Sequence, residues 1–225
     1  MAKKIHKLIL MIGALPKTLW FNFRYLSFKE AIRLPIIISH RVAFQRMDGN
    51  IAISKPVRFG MIRIGFHENP AFDQSRIRAV WNNAGTVVFK GTAYLGNGSC
   101  IANFGKLVLG DNFQMSGNST IICKEDISFG KDALIGWNCS FMDGDAHKIH
   151  VINSSGGEVS NPNRPIIIDE HVWIGMGCMI LKGTNIPKGC VIAANTCIHS
   201  GFTEENSIIG GYPAKIIKRD IWWEG

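Results

Sequence analysis

The chain lacks the features that would place it in several large functional classes. The apolar segment Leu8–Leu15 is eight residues long, far short of the roughly 20 that a membrane-spanning helix needs. No A-x-A cleavage signal follows it, and basic and aromatic residues come next, so a secretory leader is not expected. There is no G-x-G-x-x-G and no Walker loop, which removes the phosphate-loop nucleotide folds. The six cysteines (100, 123, 139, 178, 190, 197) form no CxxC pair and no zinc-ligand spacing. They read as small apolar fillers kept reduced in the cytosol. Acid is nearly missing from residues 1–46, which carry nine Lys/Arg against the single Glu30. The remaining 179 residues hold 16 charges of each sign, so the whole net charge of +8 lies at the N-terminus. No nucleic-acid partner is expected.

What is present is a period. Isoleucine recurs at 168, 174, 180, 186, 192 and 198, a spacing of six without exception. Small residues follow four places later at Cys178, Thr184, Cys190 and Thr196. Six is neither the helical 3.6 nor the strand period of 2, and a fixed hexapeptide repeat predicts a β-helix. Each hexapeptide forms one side of a triangular coil, so three make a turn of about 18 residues. The isoleucines point to the axis, and many of the 24 glycines fit the corners.

Earlier coils follow the same pattern with a longer step. Leu95 and Ile101 start one frame, Leu109, Met115 and Ile121 the next, and Phe129, Ile135 and Phe141 the third. Leu109 to Phe129 is 20 residues, which implies a two-residue insertion at one corner. Three segments are expected. Residues 1–50 form a basic, aromatic stretch of short helices, with Lys4–Gly13 ending before Pro16 and a capping box at Ser27–Glu30. Residues 51–203 form the β-helix, with a polar excursion at His67–Arg78 and an ejected loop at 142–166. Residues 204–225 form a turn and a short basic helix beginning at Pro213. The N-terminal stretch has two compatible readings, a cap over the first coil and a peripheral contact with anionic membrane.

His171-Val172-Trp173-Ile174-Gly175, the hexapeptides after it, and Gly211-Tyr212-Pro213-Ala214-Lys215 resemble the left-handed β-helix acyltransferases. This bacterial group includes galactoside, maltose and serine acetyltransferases. The basic N-terminus resembles members acting in capsular and surface-polysaccharide biosynthesis. The resemblance implies an all-β solenoid that assembles as a homotrimer with its sites in the clefts between subunits. It also implies acetyl-CoA as co-substrate, no metal, a saccharide hydroxyl as acceptor, and a cytoplasmic location.

Site residues follow from that resemblance and from the chemistry. His147, on the ejected loop, is the expected general base, since a neutral imidazole can take a hydroxyl proton near pH 7. Asp143, Asp145 and His147 alternate, so in an extended segment one carboxylate would orient the imidazole, with Asp145 favoured slightly. The backbone N–H of Met176 is the implied oxyanion donor. Ala193 and Ala194 mark the corner for the pantetheine arm, and Lys182, Lys215 and Lys218 suit its phosphates by charge. Trp173, Asn118 and Asn138 are candidates for the acceptor, although asparagine also serves at solenoid corners. Three other readings stand beside this one: N-acetyl transfer to an amino sugar, a trimeric solenoid that only binds saccharide, and a metal-dependent solenoid of the carbonic anhydrase type. The last needs three converging histidines, for which the spacing gives no support.

Overall fold

A computed structural model of the chain describes residues 2–66, 77–151 and 160–225, and side chains from residue 12 onward. Residues 67–76 of the polar excursion expected at His67–Arg78, and residues 152–159 of the ejected loop expected at 142–166, lie outside these residues.

Parallel strands stack into three sheets of nine, seven and six strands, the three faces of a left-handed β-helix. Register confirms both periods. Thr120 pairs with Cys100 below and Ser140 above, a turn of 20 residues, whereas Met179 pairs with Cys197, a turn of 18. The six isoleucines of the ladder are at most 1% exposed, as are Cys178, Thr184, Cys190 and Thr196. Phe113, Phe129 and Phe141 fill the wider lower coils, with successive centroids 5.0 Å apart. The extra residues of the 20-residue turns thus make room for larger core side chains.

Corners are built from left-handed residues. Asn118, Asn138 and Asn195 have φ near +60° at the corner between the nine- and seven-stranded sheets. Asparagine tolerates that region better than most side chains.

Three expectations are corrected. The solenoid begins at Ile36 rather than residue 51, because Ile36–Ile38 pairs in parallel with Ile62–Ile64. The N-terminal stretch is not broken into short helices before Pro16: α1 runs Ala2–Tyr25 through it. Proline removes a backbone donor there, but Pro16 and Ile12, whose carbonyl loses its partner, are both exposed residues. Packing on both sides of Pro16 holds the helix to the coil end, through Ala14, Thr18, Phe21 and Asn22. Asn22 donates to Ile36 O at 2.7 Å and accepts from Ile36 N at 3.2 Å, and Thr18 Oγ1 accepts from Ile38 N at 3.0 Å. These bonds satisfy the first strand's backbone where no lower coil exists, so α1 is the cap of the solenoid. The short α2 (Phe28–Ala31) follows, opened by Ser27 and Glu30 as the capping box requires.

At the other end, the expected helix after Pro213 is a strand, Lys215–Lys218, lying antiparallel on Ile208–Gly210. The chain there must cover the last open edge, and a strand satisfies that edge's backbone groups as a four-residue helix could not. The tail then folds back: Trp223 stacks on His171 with centroids 4.1 Å apart, and its indole N–H donates to His171 O at 3.1 Å.

Candidate active site

Most of the expected site residues gather at two features, which lie at different corners of the triangle. The first is a groove of about 410 Å³ at the corner between the nine- and seven-stranded sheets. Leu134, Trp137, Trp173, Met176, Val191 and Ala194 line it. Four of the expected residues therefore meet here: Trp173, Met176, Ala193 and Ala194. Gly175 N–H donates to Ile192 O and Gly177 N–H to Trp137 O, both at 2.8 Å. The Met176 and Ala194 N–H groups between and above them donate to no acceptor among the described residues. Met176 is 47% exposed. Gly175 itself is required by close approach, since a Cβ there would come within 2.7 Å of Ile192 O and 2.8 Å of Ala194 N. Trp173 is partly exposed on the outer face, pairs with Leu134 and Val191, and lies 6.0 Å from Trp223 between ring centroids.

The second feature is the ejected loop, which leaves the solenoid between Ser140–Met142 of the seven-stranded sheet and Ile166–Ile168 of the six-stranded sheet. His147 is exposed on it. The expected alternation of Asp143, Asp145 and His147 fails, because the chain bends after Met142 instead of extending. Asp143 is fully buried and accepts backbone N–H bonds from Lys124 (2.6 Å), Glu125 and Asp126 (both 2.8 Å). It is the fourth rung of an inward column formed by Asn83, Asn103, Cys123 and Asp143, one per coil, and is a structural carboxylate rather than the partner of a base. The burial of Cys123 together with the Asp143 charge pushes the thiol up to about 12, which leaves it unreactive.

Asp145 does not reach the imidazole either. Its Oδ2 pairs with Lys182 Nζ at 2.6 Å and accepts from Asn161 Nδ2 at 2.7 Å, and these two contacts, Lys182 first, hold its carboxyl below the usual range. Lys182 also donates to Asn161 O at 3.0 Å, so it ties the loop to the solenoid and is not free for phosphates. Asn161, which the sequence reading did not single out, joins these parts. Its amide donates to His147 O at 2.9 Å and its oxygen accepts from Ile149 N at 2.7 Å. Nothing local in the sequence marks it.

The other candidates separate by position. Lys215 pairs with Gly210, which sits against Ala193, so it stands at the upper end of the groove. Lys218 lies at the far end of the same strand, beside Ile208. Asn118 and Asn138 occupy left-handed corner positions and do not line the groove, and the conformational demand accounts for them. The covering role of the tail, Trp223 on His171, was also missed, although adjacent tryptophans at 222 and 223 in a chain with six were a signal.

No family model matches the chain. The "Putative lipopolysaccharide biosynthesis O-acetyl transferase WbbJ" of Escherichia coli (strain K12) is 31% identical over 155 residues, covering 61% of this chain and 74% of that protein. The "Uncharacterized 24.8 kDa protein in cps region" of Klebsiella pneumoniae is 28% identical over 204 residues, covering 90% of this chain and 87% of that protein. Among solved structures, the polySia-specific acetyltransferase NeuO superposes with a TM-score of 0.58 at 19% identity over 84% of each chain, a likeness of fold.

Proposed function

Because the chain belongs to the hexapeptide-repeat O-acetyltransferases of surface-polysaccharide biosynthesis, we propose that it transfers an acetyl group from acetyl-CoA to a saccharide hydroxyl in the cytoplasm, with His147 as general base. The observation that carries this reading is the corner groove, a mostly apolar channel lined by Met176 and Ala194, whose N–H groups have no acceptor among the described residues. A pantetheine arm needs such a channel with backbone donors along it, and Lys215 at its end suits a phosphate. The residues present therefore fit the co-substrate, which supplies a thioester carbonyl as electrophile.

His147 takes the proton of the attacking hydroxyl as the oxygen bonds to the carbonyl carbon. The Met176 N–H donates to the oxygen that becomes negative, an interaction stronger in the transition state than before it. The imidazolium then returns its proton to the departing thiolate. Trp173 walls the acceptor side.

A single copy holds the base and the groove at separate corners, so the complete site needs His147 of one subunit beside the groove of its neighbour. A closed homotrimer meets this requirement three times over. The test is complementation. His147→Ala and Ala194→Trp are each inactive alone, and co-expressed subunits that form mixed trimers recover part of the turnover. Mixed trimers without recovery would show that base and groove act within one chain or not at all.

A further inference from the structure

The face of α1 that does not touch the solenoid is apolar. Ile12, Leu15, Leu19 and Phe23 are 63%, 47%, 39% and 47% exposed, and Trp20, at 51%, flanks them with its ring stacked on Phe44. At about 100° per residue they fall on one side of the helix, roughly opposite Ala14, Thr18, Phe21 and Tyr25, which pack on the coil. Phe28, at 71%, and Ile32, at 55%, carry the same surface through α2. Capping the solenoid explains the inner face and leaves the outer one without a role. The charge in this segment is mostly of one sign: Arg24, Lys29, Arg33 and Arg41 stand against Glu30, whereas Lys17 donates to Val42 O on the solenoid and Arg46 is held by Asp48 at 2.6 Å.

We propose that this end of the solenoid is a membrane-docking surface that seats the exposed stripe among the acyl chains of an anionic bilayer. Bulky aliphatic and aromatic side chains flanked by basic ones are the chemistry of an interfacial amphipathic helix. Nucleic acid would use the charge but not Ile12, Leu15 and Leu19. No helix among the described residues is long and apolar enough to span a bilayer, so the contact is peripheral. α1 is bonded to the first strand, Ile36–Ile38, so docking places that end of the solenoid at the membrane. The groove lies at the fifth to seventh strands of the nine-stranded sheet, about 20–30 Å along the stack from the first at about 4.8 Å per strand. With the stack upright on the bilayer, an acceptor anchored in the same membrane is an extended saccharide rather than a sugar at headgroup level. The docking itself is independent of the catalytic reading.

The full-length protein is sedimented with vesicles of phosphatidylcholine containing about a third phosphatidylglycerol, and with phosphatidylcholine vesicles alone. Binding to the anionic vesicles, weakened by salt, is expected. Phe23→Ser with Phe28→Ser should abolish it while the thermal midpoint and transfer to a soluble acceptor stay unchanged. Arg24→Glu with Lys29→Glu and Arg33→Glu should weaken it by at least about 10²-fold, given the attraction each basic residue contributes near such a surface. Failure of the parent protein to bind, or equal binding by both sets of variants, overturns the proposal. A change of oligomeric state in the Ser variants without a change in vesicle binding also overturns it, and assigns the stripe to a second copy of the chain.

Discussion

Replacing Asp143 with asparagine separates a structural carboxylate from a catalytic one. In the native chain Oδ1 accepts from Lys124 N–H, and Oδ2 accepts from Glu125 and Asp126 N–H, all within 2.8 Å and fully shielded from water. An amide keeps one acceptor oxygen. Its best orientation serves Glu125 and Asp126 and turns the new NH2 against the Lys124 N–H. One charge-assisted bond is lost, about 1.5–3 kcal/mol, and two opposed donors remain unsatisfied for about 1–3 kcal/mol more. The variant should therefore lose about 3–5 kcal/mol. At about 2–4 °C per kcal/mol for a chain of this size, the thermal midpoint should fall by roughly 10 °C. Circular dichroism reads the midpoint, and turnover per folded molecule is measured well below it. The reasoning is refuted by an unchanged midpoint, or by turnover that collapses while the midpoint holds.

Other predictions concern the loop and the corner. The depressed Asp145 carboxyl stabilises the loop anchor above the ordinary carboxylate pKa, and that stability is lost as pH falls through the lower folded value. Proteolysis of the loop should accelerate only below about pH 4, and Lys182→Met should remove this pH dependence. Gly175→Val should cost at least about 1–3 kcal/mol by overpacking, because its Cβ would meet Ile192 O and Ala194 N, and CoA binding measured by titration calorimetry should weaken in parallel. Ile180→Ala, in the middle of the ladder, should lower stability by about 2–5 kcal/mol with CoA affinity preserved.

The solenoid was legible because its core repeats: a fixed hexapeptide brings the same place to the axis on every side, and the isoleucines from Ile168 to Ile198 fill it each time. The same arithmetic held a clue to Asp143, which continues Asn83, Asn103 and Cys123 at the 20-residue step of the lower coils. Reading it as part of an extended, alternating segment hid that continuity. The two chain ends were misread for a different reason. Proline at 16 argues locally for a break and Pro213 for a helix start, but each terminus must cover an open coil edge, and that demand comes from the assembled fold. Asn161 could not be found in advance, because its bonds to Asp145, His147 and Ile149 depend on the path of the loop rather than on sequence spacing.

His147 carries the central claim, and one paired measurement addresses it. Purified His147→Ala is titrated with CoA and assayed for thiol release from acetyl-CoA in the presence of a saccharide acceptor. Turnover should fall by at least about 10²-fold, as for loss of a general base, with CoA affinity unchanged because His147 is not among the residues that line the groove. Near-normal turnover with intact binding would contradict it.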